Sequence, residues 1–130
     1  MDERSLYETI GGDATIAALV TRFYEVMDSD PAAAPIRHMH PDDLTTSKLH
    51  LTWFLTGWLG GPQLYIERRG HPRLRARHLP FTIGAAERDQ WMHCARIALG
   101  EHVADEQARA AIDGALARLA DNMRNQPDGG

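Results

Sequence analysis

Apolar residues recur along this chain at the three-then-four spacing of an amphipathic helix, and nowhere alternate with polar ones over a useful strand length. A short opening turn gathers Leu6, Tyr7 and Ile10 before Gly11-Gly12 breaks the chain, and Asp13 stands where it can cap the next helix. Ile16, Leu19, Val20, Phe23, Tyr24 and Met27 then define one face, which puts Tyr24 on the buried side. Asp30-Pro31 ends that helix, a short segment runs on to His40-Pro41, and Asp42 to Ser47 reads as loop and cap. The following stripe, Leu51, Phe54, Leu55, Trp58 and Leu59, leaves Trp53 to one side and is stopped by Gly60-Gly61-Pro62. Between Pro62 and Pro80 the pattern weakens. Gly70, Pro72 and Pro80 leave room there for at most a short helix containing Leu74 and His78. After Gly84, Trp91, Cys94, Ala95, Ala98 and Leu99 share a face, preceded by Glu87 and Asp89, whose charge suits a helix start. A last helix carries Ala108, Ala111, Ile112, Ala115, Leu116, Leu119 and Met123, with small alanines that allow close packing, and from Asn125 onward the chain should fray. The pattern predicts an all-α protein without internal repeats.

Length and composition narrow the class. At 130 residues, 43% hydrophobic and 25% charged, the chain suits a single domain over 1–130, ordered from about residue 5 to 123 with a short tail. No apolar run approaches the roughly 18 residues that span a bilayer, and Met1 is followed by Asp2, Glu3 and Arg4 rather than a basic-then-apolar leader. A cytoplasmic protein without membrane contact is the expectation. The single cysteine, Cys94, excludes an internal disulfide and a cysteine metal cluster, so any metal must rely on histidine. A formal net charge of −4 argues against a nucleic-acid partner.

Several residues carry chemical potential, each with a plainer reading beside it. His78 lies in Arg75-Ala76-Arg77-His78-Leu79-Pro80-Phe81, where an imidazole can face inward from a short segment. Neutral imidazole is a suitable haem ligand and leaves the opposite iron position open for a diatomic gas, yet an isolated histidine is more often a surface or structural residue. Tyr24 is a core residue or a hydroxyl donor, and Trp91 a packed ring or an indole N–H donor. His38 and His40 lack the third ligand that a zinc site would need at a supporting spacing. Arg68, Arg69, Arg73, Arg75 and Arg77, with His71, form a charge run that is a solvated face, a contact for an acidic partner, or a seat for carboxylates.

Taken together, Tyr7 to Gly12, Arg22-Phe23-Tyr24, Gly60-Gly61-Pro62, Gly70-His71-Pro72-Arg73-Leu74-Arg75, Arg77-His78-Leu79-Pro80-Phe81 and Glu87-Arg88-Asp89-Gln90-Trp91 resemble the group II truncated haemoglobins. The likeness extends from Leu6 to about Ala120 and rests on several motifs in one order. It implies a two-over-two helical sandwich around haem b, with His78 as iron ligand. It further implies a cofactor pocket contacted by Tyr24, His40, Leu51, Phe54, Arg69, His71, Arg77, His78, Phe81 and Trp91. Tyr24, Trp91 and His40 would then be polar groups facing the bound gas, with Ser47 near the place where larger globins carry a distal histidine. Propionates would meet some of the arginines.

Three functional classes follow. One is binding of oxygen or another diatomic gas, including oxygen transport, with possible redox chemistry on the retained ligand. Another is an enzyme on the same site, a nitric oxide dioxygenase or a peroxidase-like catalyst, fed by an unknown reductase. The third is a haem-free helical interaction module whose arginines bind an acidic partner.

Overall fold

Glycine and proline divide the chain where the pattern predicts, and the pieces between them are helical. The computed structural model describes residues 5–126. Among these are α1 (Leu6–Ile10), α2 (Asp13–Ser29), a 3-10 turn at Pro31–Ala33, α3 (Ala34–His38), α4 (Thr45–Trp58), α5 (Leu64–Arg69), α6 (Leu74–His78), α7 (Ala85–His102) and α8 (Glu106–Asn122). No strand occurs among the described residues. Helices α2 and α4 pack as one pair, α7 and α8 as another, and the close approach of α2 to α7 joins the two layers. This is the two-over-two sandwich that the resemblance implies. No described helix is long and apolar enough to cross a membrane.

The core forms where the stripes converge. Ile16, Leu19, Val20, Phe23, Tyr24 and Met27 of α2 are buried against Met92, Cys94, Ala95, Ala98 and Leu99 of α7, with Ile112 and Leu116 of α8 beneath. Cys94 is sealed within this layer, and burial pushes its thiol up to about 11.

Local chemistry moves several boundaries. Asp13 is not the cap of α2: Gly12 occupies that position, and the Asp13 carboxylate instead accepts the Tyr7 hydroxyl at 2.5 Å. Helix α4 begins at Thr45, earlier than the loop reading of Asp42 to Ser47 allows, because the Asp43 carboxylate accepts the Thr45 N–H at 2.9 Å. The weak stretch after Pro62 holds two short helices rather than one, α5 being only six residues long and ending in Glu67, Arg68 and Arg69. In α8 the buried alanines are Ala108 and Ala120, while Ala111 faces solvent. Helix α7 starts where its acidic residues suggest, since the Glu87 carboxylate accepts the Gly84 N–H at 2.7 Å.

Gly60 and Gly61 earn their places through packing at the end of α4. Gly60 has φ +100°, and a Cβ there would lie 2.7 Å from Ser5 Cβ. A Cβ at Gly61 would lie 2.8 Å from the Tyr7 ring and 2.9 Å from the Thr56 carbonyl oxygen. The absence of side chains lets α1 close over α4, where Tyr7 N–H donates to the Leu59 carbonyl at 2.9 Å.

Candidate functional site

Three elements bring an aromatic and polar cluster together on one side of the sandwich. Tyr24, 5% exposed on the inner face of α2, stands edge-on to Phe23 with ring centroids 5.0 Å apart. Phe23 in turn meets Trp91 of α7 at 5.0 Å, and Tyr24 meets His40, just beyond α3, at 5.8 Å. The Tyr24 hydroxyl has one weak protein partner, the Ser47 carbonyl at 3.5 Å. Burial raises its pKa above the ordinary phenol value, so the group stays a protonated donor. Trp91 is half-buried, and its indole N–H meets no protein acceptor among the described residues.

His40 is polarised in a particular sense. Its Nδ1 lies 2.8 Å from the Ile36 carbonyl, and a carbonyl only accepts, so the proton sits on Nδ1. The neutral ring then presents Nε2 as an acceptor. Burial holds its pKa below the usual histidine value, with the positive charge of Arg37 acting in the same direction.

His78 ends α6, half-buried, and its Nδ1 lies 2.6 Å from the Leu74 carbonyl. The same reasoning places the proton on Nδ1 and leaves the Nε2 lone pair free, which is the form a metal ligand requires. Beside it, Leu79 and Phe81 are 57% and 40% exposed, an apolar surface on a loop that would otherwise be expected to bury it. Helix α6 makes only slight contact with the other helices among the described residues.

A basic and aromatic group adjoins this loop. His50 of α4 packs against Trp53 at 5.7 Å and Tyr65 of α5 at 6.0 Å. Arg68 lies over Trp53 and Arg77 over Tyr65, at 5.1 and 5.9 Å from the ring centroids. The pKa of His50 is lowered by burial first and then by the charges of Arg69 and Arg77, which places both guanidinium groups in its electrostatic reach. Arg22, Arg37, Arg88, Arg96 and Arg124 each meet a carboxylate. Arg68, Arg69, Arg73 and Arg77 meet none among the described residues, and the side chain of Arg75 lies outside them. Unneutralised cations of this kind suit a carboxylate-bearing ligand. His71 stands apart: it is exposed, and its Nδ1 accepts the Arg73 N–H at 3.0 Å, supporting the positive φ of 48° at Arg73.

Leu51 and Trp91 share an apolar cavity of about 30 Å³ that continues inward between Phe23, Leu55, Ala95 and Leu116. Phe54, half-buried one turn beyond Leu51, stacks on Trp58 at 6.0 Å. A larger surface depression of about 440 Å³ lies between α7 and α8, but its Arg88, Arg96 and Asp121 are occupied with ion pairs.

Two residues of this region escape the sequence reading. His50 directly precedes Leu51 on α4, and only the three-dimensional placement of α5 and α6 brings Arg69 and Arg77 to it. Asn125, assigned to a fraying tail, instead bonds to the loop after His78. A histidine flanking an apolar stripe was a signal for the first; nothing local marks the second.

The bacterial-like globin family matches residues 5–125 of this chain. Group 2 truncated hemoglobin YjbI of Bacillus subtilis is 41% identical over 122 residues, covering 94% of this chain and 89% of that protein. Among solved structures, the group II 2-on-2 hemoglobin of Agrobacterium tumefaciens is 48% identical, with a TM-score of 0.94 and 98% of each chain covered. The cold-adapted truncated hemoglobin of Pseudoalteromonas haloplanktis TAC125 is 41% identical, with a TM-score of 0.93, over 95% of this chain and all of that one.

Proposed function

Because the chain belongs to the bacterial-like globin family, we propose that it holds haem b through His78 and binds oxygen or another diatomic gas beside Tyr24 and Trp91. Family membership establishes a haem-binding, ligand-binding protein and leaves the haem-free interaction module without support. The observation that carries the finer assignment is the bond from His78 Nδ1–H to the Leu74 carbonyl, which frees Nε2 as a ligand and fixes the ring's orientation. Held by His78, haem would supply an iron able to bind a diatomic gas.

The chain's own residues set the conditions around that chemistry. Leu79 and Phe81 offer apolar surface that haem would cover, and Leu51 and Phe54 would keep water from its gas-binding face. Arg69 and Arg77, with His50 between them in electrostatic reach, suit the two propionates. Tyr24 and Trp91 each hold a proton on a donor with little or no protein acceptor, so both favour a gas that draws negative charge onto itself. Oxygen does so and carbon monoxide does so far less. Slow oxygen release follows, which suits chemistry on a retained ligand better than delivery over a shallow gradient. Such chemistry requires electrons from a reductase.

The test is the absorption spectrum of the purified, haem-loaded protein, with and without dithionite and carbon monoxide. His78→Ala should leave haem weakly held and exchangeable, and added imidazole should restore binding. Wild-type ferrous and carbon monoxide spectra in that variant would exclude His78, and failure of the wild type to take up haem would overturn the whole reading.

A further inference from the structure

Beyond the residues of the pocket, one side chain ties the end of the chain to the loop that carries His78. Asn125 main-chain N–H donates to the Ile83 carbonyl at 2.8 Å, and its Oδ1 accepts the Ile83 N–H at 2.9 Å. Its Nδ2 donates to the Phe81 carbonyl at 2.7 Å and makes a longer contact of 3.5 Å with the carbonyl of His78 itself. One residue thus satisfies both backbone groups of Ile83 and the carbonyls on either side of the Leu79-Pro80 step. Three of these four bonds use the side-chain amide, and they need its donor and its acceptor together.

The rest of the loop has few other anchors. Helix α6 packs only slightly against the other helices, and the turn after it is closed by local bonds, Phe81 N–H to the His78 carbonyl at 3.0 Å and Leu79 N–H to the Ala76 carbonyl at 3.4 Å. Leu79 and Phe81 are exposed, and only Ile83 is buried. On the other side, Asn125 lies three residues beyond the last residue of α8, whose end is closed by the bond from Met123 N–H to the Ala120 carbonyl. The long helix therefore has a rigid handle on the short one.

We infer that Asn125 is a positioning residue for His78: it fixes the segment from His78 to Ile83 relative to α8 and thereby sets the strength of the axial bond to haem iron. This rests on the assignment of His78 as ligand. Loss of the amide frees the loop at Phe81 and Ile83, lets the imidazole take a range of distances and tilts, and weakens retention of the cofactor.

The experiment uses the full chain loaded with haem. Resonance Raman of the ferrous protein reads the iron–histidine stretching band, transfer to an excess of a haem acceptor reads dissociation, and hydrogen exchange reads the Ile83 amide. Asn125→Ala should shift and broaden the band, speed haem loss by about tenfold as expected for lost hydrogen bonds, and expose the Ile83 amide to exchange. Asn125→Asp keeps the acceptor for Ile83 N–H but places a carboxylate against the Phe81 carbonyl. It should preserve Ile83 protection while still shifting the band, a separation that general destabilisation would not produce. If Asn125→Ala does not fold, Asn125→Asp carries the test alone. A wild-type band and wild-type haem loss in whichever variants fold would overturn the inference and leave Asn125 as a fastening of the tail. Persistence of the wild-type band in His78→Ala would instead refute the ligand assignment, a separate failure.

Discussion

Replacing Tyr24 with phenylalanine removes one oxygen atom and leaves the ring against Phe23 and His40, whose centroids stand 5.0 and 5.8 Å away. The lost protein contact is the bond to the Ser47 carbonyl, and at 3.5 Å it is at the limit of what counts as a hydrogen bond. A well-formed neutral bond contributes about 0.5–1.5 kcal/mol net, so this one should contribute no more than about 0.5 kcal/mol. The urea midpoint of the ferric, haem-loaded variant should therefore stay close to wild type, with a thermal shift below about 4 °C. Oxygen release should behave differently. If the hydroxyl donates to bound oxygen with the strength of an ordinary buried bond, its loss costs about 1.4 kcal/mol and dissociation accelerates about tenfold. Carbon monoxide dissociation should change much less. Stopped-flow displacement of oxygen by carbon monoxide measures the rate, and adding Trp91→Phe should give more than the product of the single effects, since donors sharing one acceptor would partly compensate for each other's loss. Unchanged oxygen release together with a clear loss of stability would refute the reasoning and make Tyr24 a packing residue.

Acid should destabilise the protein partly through His40. Its folded pKa lies below the unfolded value of about 6.5, so the unfolded chain takes up the proton first, and the stability present above that value is lost as pH falls through the folded pKa. His40→Phe should flatten that decline in urea midpoints between neutral pH and pH 5; an unchanged slope would show that the ring titrates freely. Arg77→Gln should speed haem transfer by at most about fivefold, because a partly exposed charge pair contributes up to about 1 kcal/mol, and an unaltered rate would return Arg77 to its cation–π contact with Tyr65. Gly61→Ala should cost about 1–3 kcal/mol by forcing a Cβ against Tyr7 and the Thr56 carbonyl. Gly100→Ala, on α7 with open space around it, should raise the melting temperature by about 0.5–1 kcal/mol worth of stability, and a matching effect at the two glycines would sink the packing argument.

The parts legible in the sequence were those governed by periodicity and by breaks. The stripes on α2 and α7 stated which residues form the core, because a 3.6-residue repeat leaves an apolar face nowhere else to go. Position along the chain also exposed the glycine pair at 60–61, though its role against Tyr7 required the fold. Less readable was everything decided across long sequence separations. Helix α5 is short and rich in charge, so its apolar face at Leu64 and Tyr65 is too narrow to register as a stripe. The clustering of His50 with Arg69 and Arg77 depends on three separate elements, and the tie from Asn125 spans more than forty residues. Asp13 and Asp43 show the limit of cap rules: a carboxylate beside a helix start has several N–H and O–H donors to choose among, and tertiary contacts decide. His40 and His78 share one device, Nδ1–H given to the carbonyl four residues earlier, which no composition reveals.

The small cavity beside Trp91 gives the two flanks of the proposed gas-binding region opposite characters. Its walls, among them Phe23, Leu51, Leu55, Ala95 and Leu116, are apolar apart from the indole of Trp91, whereas a water molecule at rest in a protein needs two or more polar partners. That flank gives water little hold. Oxygen and nitric oxide dissolve in such surroundings more readily than water does, so a gas molecule can wait there without meeting a proton. The flank formed by Tyr24 and His40 is the opposite, with a hydroxyl hydrogen on one ring and a lone pair on the other. On the reading that a gas binds beside Tyr24 and Trp91, protons would reach it from the α3 side and uncharged reactants from the α8 side, so the two supplies would not share a route.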